Sequence, residues 1–306
     1  MTRTRWKRLR TEAVNPRSAR LDALGVARIV GLMQREDARV LRALRAARPQ
    51  IVRAAELFRE TFQSGGTCLL FGAGTSGRLA VLEAAELPPT FGTSPGRVRA
   101  AIAGGPRAVF RAREGAEDRA EEGRRAANAL AAGDLAIGVS ASSVTPFVRG
   151  ALERARQRGA RIVLVTAGGG AGLRRLAGTV VPLDVGPEVL AGSTRLKAGT
   201  ATKLALNQIT TSALASSGKV YGPWMVDLRT GSAKLKDRAR RIVAAAAAAS
   251  PRHASRLLEE AGGEVKTAIL MGRRGLPARD ARRALEAARG DLRRALADPQ
   301  PPNIRR

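Results

Sequence analysis

Between residues 67 and 185 the chain alternates short apolar runs with longer stretches of helical spacing. The five apolar runs are each rich in Val, Ile, Leu or Ala: Thr67–Phe71, Val98–Ala103, Leu135–Ser140, Arg161–Thr166 and Val180–Val185. Short, nearly continuous apolar runs are typical of strands that are covered on both faces. The pattern therefore predicts an α/β fold with three αβα layers around a five-stranded parallel sheet.

Helical patterns precede this alternation. The polar, turn-rich segment Thr11–Arg20 is followed by two stretches with apolar residues at helical spacing, Leu21–Gln34 and Asp37–Gln63. Pro49 predicts a break inside the second stretch, because proline removes a helical hydrogen bond. Within the α/β region, Pro106 predicts the first residue of a helix that runs to about Arg113.

The end of the chain is also helical and contains an internal repeat. After the fifth strand, Ser193 or Thr194 is predicted to cap a long helix that ends near Ser217. Further on, the pattern that begins at Leu258 recurs at Leu285, and each copy predicts a helix, a glycine stop and a second helix. The predicted domains are an N-terminal helical segment (1–56), an α/β domain (57–220), a C-terminal helical subdomain (221–297) and a disordered tail (298–306).

Charge and composition narrow the functional classes. The formal net charge is +28, from 54 basic and 26 acidic residues, and only seven of the basic residues are lysine. The basic residues are spread along the chain, and aromatic residues make up 3% of it, too few for a base-stacking platform. We therefore expect no specific nucleic-acid partner, only salt-sensitive adhesion to polyanions.

The sequence also bears on the cellular compartment. No apolar run reaches the roughly 20 residues of a membrane helix, so we expect no membrane partner. The basic N-terminus lacks the apolar segment of a secretory signal. The single cysteine, Cys68, lies inside the first predicted strand and fits a small core residue in a reducing, cytoplasmic setting.

A glycine-rich turn follows the first strand. Gly72, Gly74 and Gly77 allow the backbone to turn tightly and to approach a ligand, and a helix is predicted to begin near Ser76. The free N–H groups of this helix end, with the hydroxyl groups of Thr75 and Ser76, favour a phosphate. The helix is predicted to stop at Pro88-Pro89.

The same glycine spacing also fits a dinucleotide fingerprint. That alternative requires an acidic residue at the end of the next strand to hold a ribose. The next predicted strand, Val98–Ala103, ends in Gly104-Gly105-Pro106 without an acid. A small phosphorylated ligand is therefore favoured over a nicotinamide cofactor, and no cofactor is expected.

A second group of hydroxyl residues follows the third strand. It comprises Ser140, Ser142, Ser143 and Thr145. In open α/β sheets, ligands bind in the crevice at the carboxyl ends of the strands, so two such loops can hold one phosphate. The alternative is that each hydroxyl group only caps the helix that follows.

The two loops resemble those of the sugar isomerase (SIS) domain, and longer motifs resemble one branch of it, the N-acetylmuramic acid 6-phosphate etherase family. The matching stretches are TEAVNPRSARLD at 11–22, GAGTSGRLAVLEAAELPPTFG at 72–92, IAGGP at 102–106, EGAED at 114–118, VGPEVLAGSTRLKAGTATKLALN at 185–207 and GKVYGPWMVDL at 218–228. The resemblance implies an SIS fold with a UBA-like helical tail. It also implies metal-free cleavage of the D-lactyl ether in cell-wall sugar recycling, by a protein that is usually a homodimer.

The resemblance assigns two catalytic glutamates. The residue before the double proline, Glu86, is the implied acid, and the later glutamate of EGAED, Glu117, is the implied base. Independently, a partly buried carboxyl group in the last turn of a helix faces the negative end of the dipole, which suits a proton donor. Arg195 and Lys197 either neutralise the phosphate or lactyl carboxylate of the substrate or belong to a solvated helix start.

The sequence departs from the family pattern at several positions. The residues that usually flank the acid, Ser and Cys, are Ala85 and Leu87 here. The family's S-G-R-T-P reads Ser142-Ser143-Val144-Thr145-Pro146, and its Cys-Asn-Pro after the fourth strand reads Ala167-Gly168-Gly169. The alternative to an etherase is a non-catalytic sugar-phosphate-sensing regulator of the SIS family, which needs neither glutamate.

Overall fold

The computed structural model describes residues 9–168, 171–228 and 231–296. The chain divides into two compact units. The first comprises Met1–Ala85 and Pro95–Thr211, and the second comprises Glu86–Ser94 and Ser212–Arg306. The predicted domain boundaries at 56, 220 and 297 remain a prediction, and the predicted disordered tail lies outside the described residues.

Two long helices precede the sheet in the first unit. After short 3-10 turns come α1 (Val26–Ala46) and α2 (Arg48–Gln63). The predicted end of the first helix near Gln34 is wrong, because α1 continues for three more turns with Glu36 buried on its inner face. The predicted break at Pro49 falls instead at Ala47, since proline fits the first turn of α2, where an N–H has no helical partner.

The predicted five-stranded parallel sheet is confirmed. Its strands are β1 (Cys68–Gly72), β2 (Val98–Ile102), β3 (Leu135–Val139), β4 (Arg161–Thr166) and β5 (Thr179–Pro182). They pair in the order β2-β1-β3-β4-β5, and every pairing is parallel. β1 and β3 are neighbours at the centre and are buried along their whole length, so the loops that follow them lie side by side.

The helices that connect the strands are α3 (Gly74–Phe91), α4 (Ala120–Ala126), α5 (Pro146–Gln157) and α6 (Ala171–Arg174), and α7 (Lys197–Leu214) follows β5. The predicted stop of α3 at Pro88-Pro89 is wrong: both prolines lie inside its last turn. Proline lacks an N–H but keeps a helical φ, and the turn closes where the Gly92 N–H donates to the Pro88 carbonyl at 3.0 Å.

Two other local predictions also need correction. The helix predicted from Pro106 to Arg113 is only a 3-10 turn, Pro106–Val109, which ends before the glycine-containing EGAED segment. Neither Ser193 nor Thr194 caps the long helix. The carboxylate of Glu188 does so, because it accepts the main-chain N–H groups of Lys197 and Ala198 at 3.1 and 2.9 Å.

The second unit is mainly helical, with a small antiparallel pair, β6 (Val220–Tyr221) and β7 (Trp224–Met225). Its helices are α8 (Ala233–Ala246), α9 (Pro251–Glu260), α10 (Val265–Arg274), α11 (Ala278–Ala287) and α12 (Leu292–Leu296). The two copies of the repeat correspond to the α9–α10 and α11–α12 pairs, each interrupted by glycine. Within the described ranges, no helix has both the length and the apolar character needed to cross a membrane.

Candidate active site

The turn between β1 and α3 is compressed against its neighbours. A Cβ on Gly72 would lie 2.6 Å from the main-chain nitrogen of Gly77. A Cβ on Gly77 would lie 2.5 Å from Cγ1 of Ile102 and 2.7 Å from the Gly72 carbonyl oxygen. Only glycine fits at both positions, and the tight turn places Thr75 and Ser76 in the first turn of α3.

The loop between β3 and α5 is held by its own hydroxyl groups. Ser140 Oγ and Thr145 Oγ1 are 2.8 Å apart. Thr145 precedes α5, but its side chain makes no capping hydrogen bond. The prediction that these residues only cap the helix is therefore not supported at α5. Ser143 has a left-handed backbone, with a φ of 63°.

The two loops open onto one polar cavity of about 470 Å³. Of the predicted site residues, Ser76, Ser142, Thr145 and Glu117 line it. The hydroxyl groups of Ser76 and Ser142 have no protein partner among the described residues. The cavity can therefore offer unpaired hydroxyl groups and a helix N-terminus to an anionic group, beside a carboxylate.

The remaining hydroxyl and glycine candidates lie around the cavity and do not line it. Gly74 is exposed at the start of α3, with a φ of 52°, and Thr75 is half-buried beside it. Ser140 is buried and bonded to Thr145. The hydroxyl group of Ser143 is fully buried and has no hydrogen-bond partner in the part of the chain that is described, so it is closed to a ligand.

Glu117 lies in a 3-10 turn, Ala116–Asp118, at the edge of the cavity. Its side chain is exposed on one side, but the surrounding protein atoms remove part of its hydration. This desolvation raises the pKa of Glu117, and the negative charges of Asp118 and Glu114 raise it further. A carboxylate with a raised pKa is a stronger base than an ordinary glutamate.

Lys197 does not face the cavity, and the prediction that it neutralises a substrate anion is not supported. Its side chain is 1% exposed, and its Nζ lies 2.5 Å from Oε2 of Glu36 and 2.8 Å from the Pro187 carbonyl oxygen. Arg195 is exposed and makes no ion pair within the described residues. It does not line the cavity either.

Comparison with known proteins places these features in a family. Residues 50–156 match the family model of the glucokinase regulatory protein N-terminal SIS domain. The N-acetylmuramic acid 6-phosphate etherase of Rubrobacter xylanophilus is 47% identical over 95% of this chain and 97% of its own. Those of Mycolicibacterium smegmatis and Geobacillus thermodenitrificans are each 44% identical over 94% of this chain, covering 97% and 98% of their own. The chain belongs to the N-acetylmuramic acid 6-phosphate etherase family.

The acid implied by the family, Glu86, lies on α3 in the segment grouped with the second unit. The helix continues to Phe91, so Glu86 is not in its last turn, and its side chain is exposed. The argument from the helix dipole and partial burial therefore does not hold for this residue. One turn earlier, Glu83 is buried and accepts hydrogen bonds from Asn207 Nδ2 at 2.9 Å and from the Thr210 hydroxyl.

Five polar or glycine residues of the cavity were not predicted individually: Thr11, Glu12, Asp118, Gly192 and Thr194. They lie in three of the stretches that match the etherase family, so family motifs were the signal that could have identified them. The lining contains three carboxylates and, among the described residues, no lysine, arginine or histidine. No group of His, Cys, Asp and Glu suited to a metal ion occurs in the described ranges.

Proposed function

We propose that this protein is an N-acetylmuramic acid 6-phosphate etherase. It splits the D-lactyl ether of its substrate to N-acetylglucosamine 6-phosphate and D-lactate. The observation that carries the proposal is the position of Glu117 in one cavity with the unpaired hydroxyl groups of Ser76 and Ser142. Membership of the etherase family supplies the substrate class.

The phosphate binds where the two hydroxyl loops meet. Ser76, Ser142 and Thr145 provide hydroxyl groups, and the first turn of α3 provides N–H groups and the positive end of its dipole. These donors are neutral, so they bind the phosphate dianion through hydrogen bonds and form no ion pairs with the carboxylates of the same cavity. Glu117 then faces the sugar and not the phosphate, since like charges repel.

The chemistry proceeds by elimination and addition on the open-chain aldehyde. Glu117 removes the proton at C2, next to the carbonyl group, and leaves an enolate. The C3–O bond then breaks, and Glu86 protonates the departing lactyl oxygen. Water then adds at C3 of the unsaturated aldehyde: the ionised Glu86 takes a proton from this water and the protonated Glu117 returns a proton to C2, which gives the product and restores both side chains. The assignment of Glu86 rests on the family motif and remains a prediction, as does the cytoplasmic homodimer that acts in cell-wall sugar recycling.

Release of D-lactate from N-acetylmuramic acid 6-phosphate tests the function directly. Glu117→Gln should lower the rate by at least about 100-fold, since a positioned general base contributes roughly that factor or more. Glu121→Gln, an exposed carboxylate outside the cavity, is the matched control and should keep the wild-type rate. Absence of lactate with the wild-type protein would contradict the proposal.

Calorimetry with N-acetylglucosamine 6-phosphate tests the phosphate position without catalysis. The double variant Ser76→Ala, Ser142→Ala loses two hydrogen bonds to a charged group and should bind at least about 10-fold more weakly. Thr200→Ala is the control, because this hydroxyl lies on the exposed side of α7 and donates to the Leu196 carbonyl oxygen just before the helix, at 3.1 Å. Equal affinity of the double variant and the wild type would place the phosphate elsewhere.

A further inference from the structure

One wall of the cavity is made by segments outside the sheet. Glu12 ends a 3-10 turn, Arg10–Glu12, and its carboxylate lines the cavity. The Gly192 N–H donates to the Thr11 carbonyl oxygen at 3.1 Å, and Glu12 Oε2 lies 3.2 Å from where a Cβ on Gly192 would be. The two segments therefore meet and present Glu12 beside Gly192 as a single surface.

A buried polar network fixes these two segments. Glu36 on α1 accepts the side-chain amide of Asn15 at 2.9 Å and the ammonium of Lys197 at 2.5 Å, both at Oε2. Asn15 and Lys197 also donate to the Pro187 carbonyl oxygen, at 3.2 and 2.8 Å. Asn15 lies three residues after Glu12, just past the bend at Ala13, and Pro187 precedes the loop that carries Gly192. The network therefore joins the two halves of the wall.

The charges of this network point to positioning and not to stability alone. The side chains of Glu36 and Lys197 are 0% and 1% exposed. Burial alone would raise the pKa of Glu36, but the hydrogen bonds from Lys197 and Asn15 and the charges of Lys197 and Arg39 together outweigh it and hold that pKa below its ordinary value. A buried ion pair contributes little more net stability than apolar side chains of the same size, whereas it imposes a specific geometry.

Glu12 is available for a ligand. It makes no ion pair within the described residues, although the chain has 54 basic residues, and its protein donor there is the hydroxyl of Thr11 at 3.4 Å. A carboxylate in a cavity lined by no described cation repels phosphate and carboxylate groups but accepts hydrogen bonds from neutral hydroxyl groups. The sugar hydroxyl groups are the part of an etherase substrate with this chemistry.

We propose that Glu12 is a substrate-positioning residue that accepts hydrogen bonds from the sugar hydroxyl groups, and that Asn15, Glu36 and Lys197 hold it in place. This inference rests on the proposed function, because it assumes a sugar phosphate in the cavity. It adds a third carboxylate to the site, with a role in binding and none in proton transfer.

The first test separates binding from chemistry. Glu12→Ala should raise KM for N-acetylmuramic acid 6-phosphate, and Kd for N-acetylglucosamine 6-phosphate, by about 10-fold or more, as expected for a lost hydrogen bond to a charged group. The kcat value should change by less than KM does. Glu121→Gln should change none of these constants. A wild-type KM and Kd for Glu12→Ala would overturn the proposal.

The second test asks whether the network acts through Glu12. The variant Glu36→Gln, Lys197→Met removes the two fully buried charges together. Arg17 and Arg39, which also pair with Glu36, are 61% and 31% exposed, so their charges stay in contact with solvent. The double variant should raise KM and Kd in the same direction as Glu12→Ala, with the melting temperature recorded beside them. Adding Glu12→Ala to it should raise them no further than Glu12→Ala alone, because residues in one network are not additive. Two results would overturn the positioning role: fold-changes in KM that multiply when Glu12→Ala is added, or a wild-type KM in the Glu36→Gln, Lys197→Met variant.

Failure of this inference is distinguishable from failure of the proposed function. If the wild type releases D-lactate and binds the product, but Glu12→Ala matches it, only the role of Glu12 is wrong. If the wild type neither releases lactate nor binds either sugar phosphate, both proposals are wrong. The calorimetric measurement of Kd does not depend on catalysis. It therefore tests the role of Glu12 even if the protein binds the sugar phosphate without releasing lactate.

Discussion

The main-chain carbonyl oxygen of Ser143 accepts the N–H of Leu173 at 3.1 Å, and this bond ties the loop after β3 to α6. Ser143 adopts a left-handed backbone there, with a φ of 63°. An L-residue other than glycine is strained in this region by roughly 1–2 kcal/mol. The related family motif has glycine at this position, so the chain keeps the backbone shape without the residue that fits it best.

Ser143→Gly should therefore stabilise the protein. The change removes the left-handed strain and a buried hydroxyl that lacks a partner among the described residues, which costs about 1–3 kcal/mol. Glycine has more conformational freedom than serine in the unfolded chain, which lowers the free energy of unfolding by about 0.5–1 kcal/mol. We expect the free energy of unfolding to rise by about 1–4 kcal/mol, measured by urea denaturation.

The neighbouring serine provides the control for this prediction. Ser142 does not have a positive φ, so Ser142→Gly brings only the entropic cost of glycine. It should lower the free energy of unfolding by about 0.5–1 kcal/mol. If both variants were destabilised equally, the left-handed backbone at Ser143 would not be a source of strain.

The sheet was predictable because a strand that is buried on both faces is apolar at consecutive positions of the sequence. The central strands β1 and β3 read as continuous apolar runs, and each is buried at every position. The glycine spacing at Gly72 and Gly77 was likewise readable, since each excludes a Cβ. These features depend on residues close in sequence, which is why pattern and spacing identified them.

The buried polar network of Asn15, Glu36 and Lys197 has no comparable local pattern in the sequence. Glu36 falls between two apolar helical patterns and looked like part of a polar break, although it is a buried residue inside α1. Its partner Lys197 is 161 residues away, and periodicity carries no information over that distance. For the same reason, the sequence could not distinguish a lysine that binds substrate from one that binds Glu36.

Gly77→Ala should disrupt the turn that carries the phosphate loop. The new Cβ would lie 2.7 Å from the Gly72 carbonyl oxygen, a main-chain atom that cannot rotate away. Overpacking of this kind costs about 1–3 kcal/mol, so we expect a lower melting temperature and weaker binding of sugar phosphate. The control is Gly31→Ala in α1, where φ is not positive and a Cβ would meet only the end of the Arg35 side chain, at 3.4 Å. Equal melting temperatures for the two variants would contradict the packing argument.

The acid limb of the activity profile should respond to charges near Glu117. Its pKa is raised by burial, then by Asp118 and Glu114, and a base is active only when deprotonated. The acid limb of kcat/KM should therefore lie above the ordinary glutamate value of about 4.3.

Glu114→Gln tests the sign of this effect. It removes one negative charge and leaves the burial unchanged, so the pKa of Glu117 should fall and the acid limb should move to lower pH. The shift should shrink at high ionic strength, which screens the exposed charge of Glu114. Glu121→Gln should leave the limb in place. Movement of the limb to higher pH with Glu114→Gln would be inconsistent with Glu117 as the titrating base.

The two proposed catalytic glutamates should fail at different steps. Removal of the C2 proton precedes loss of the C3 oxygen in a stepwise elimination. In heavy water, Glu86→Gln still has its base, so it should exchange the C2 proton for deuterium while it releases little lactate. Glu117→Gln should lose both exchange and release, because nothing takes the proton.

Mass spectrometry of the recovered substrate, beside a lactate assay, distinguishes the two variants. Circular dichroism must first show that both are folded, since either change can disturb its helix or turn. The side chains of Glu86 and Glu117 are both exposed, so neither change should prevent folding. If deuterium entered with Glu117→Gln but not with Glu86→Gln, the two roles would be reversed. Wild-type lactate release from both variants would remove both residues from the mechanism, and the base would then have to be sought among the other carboxylates of the cavity, Glu12 and Asp118.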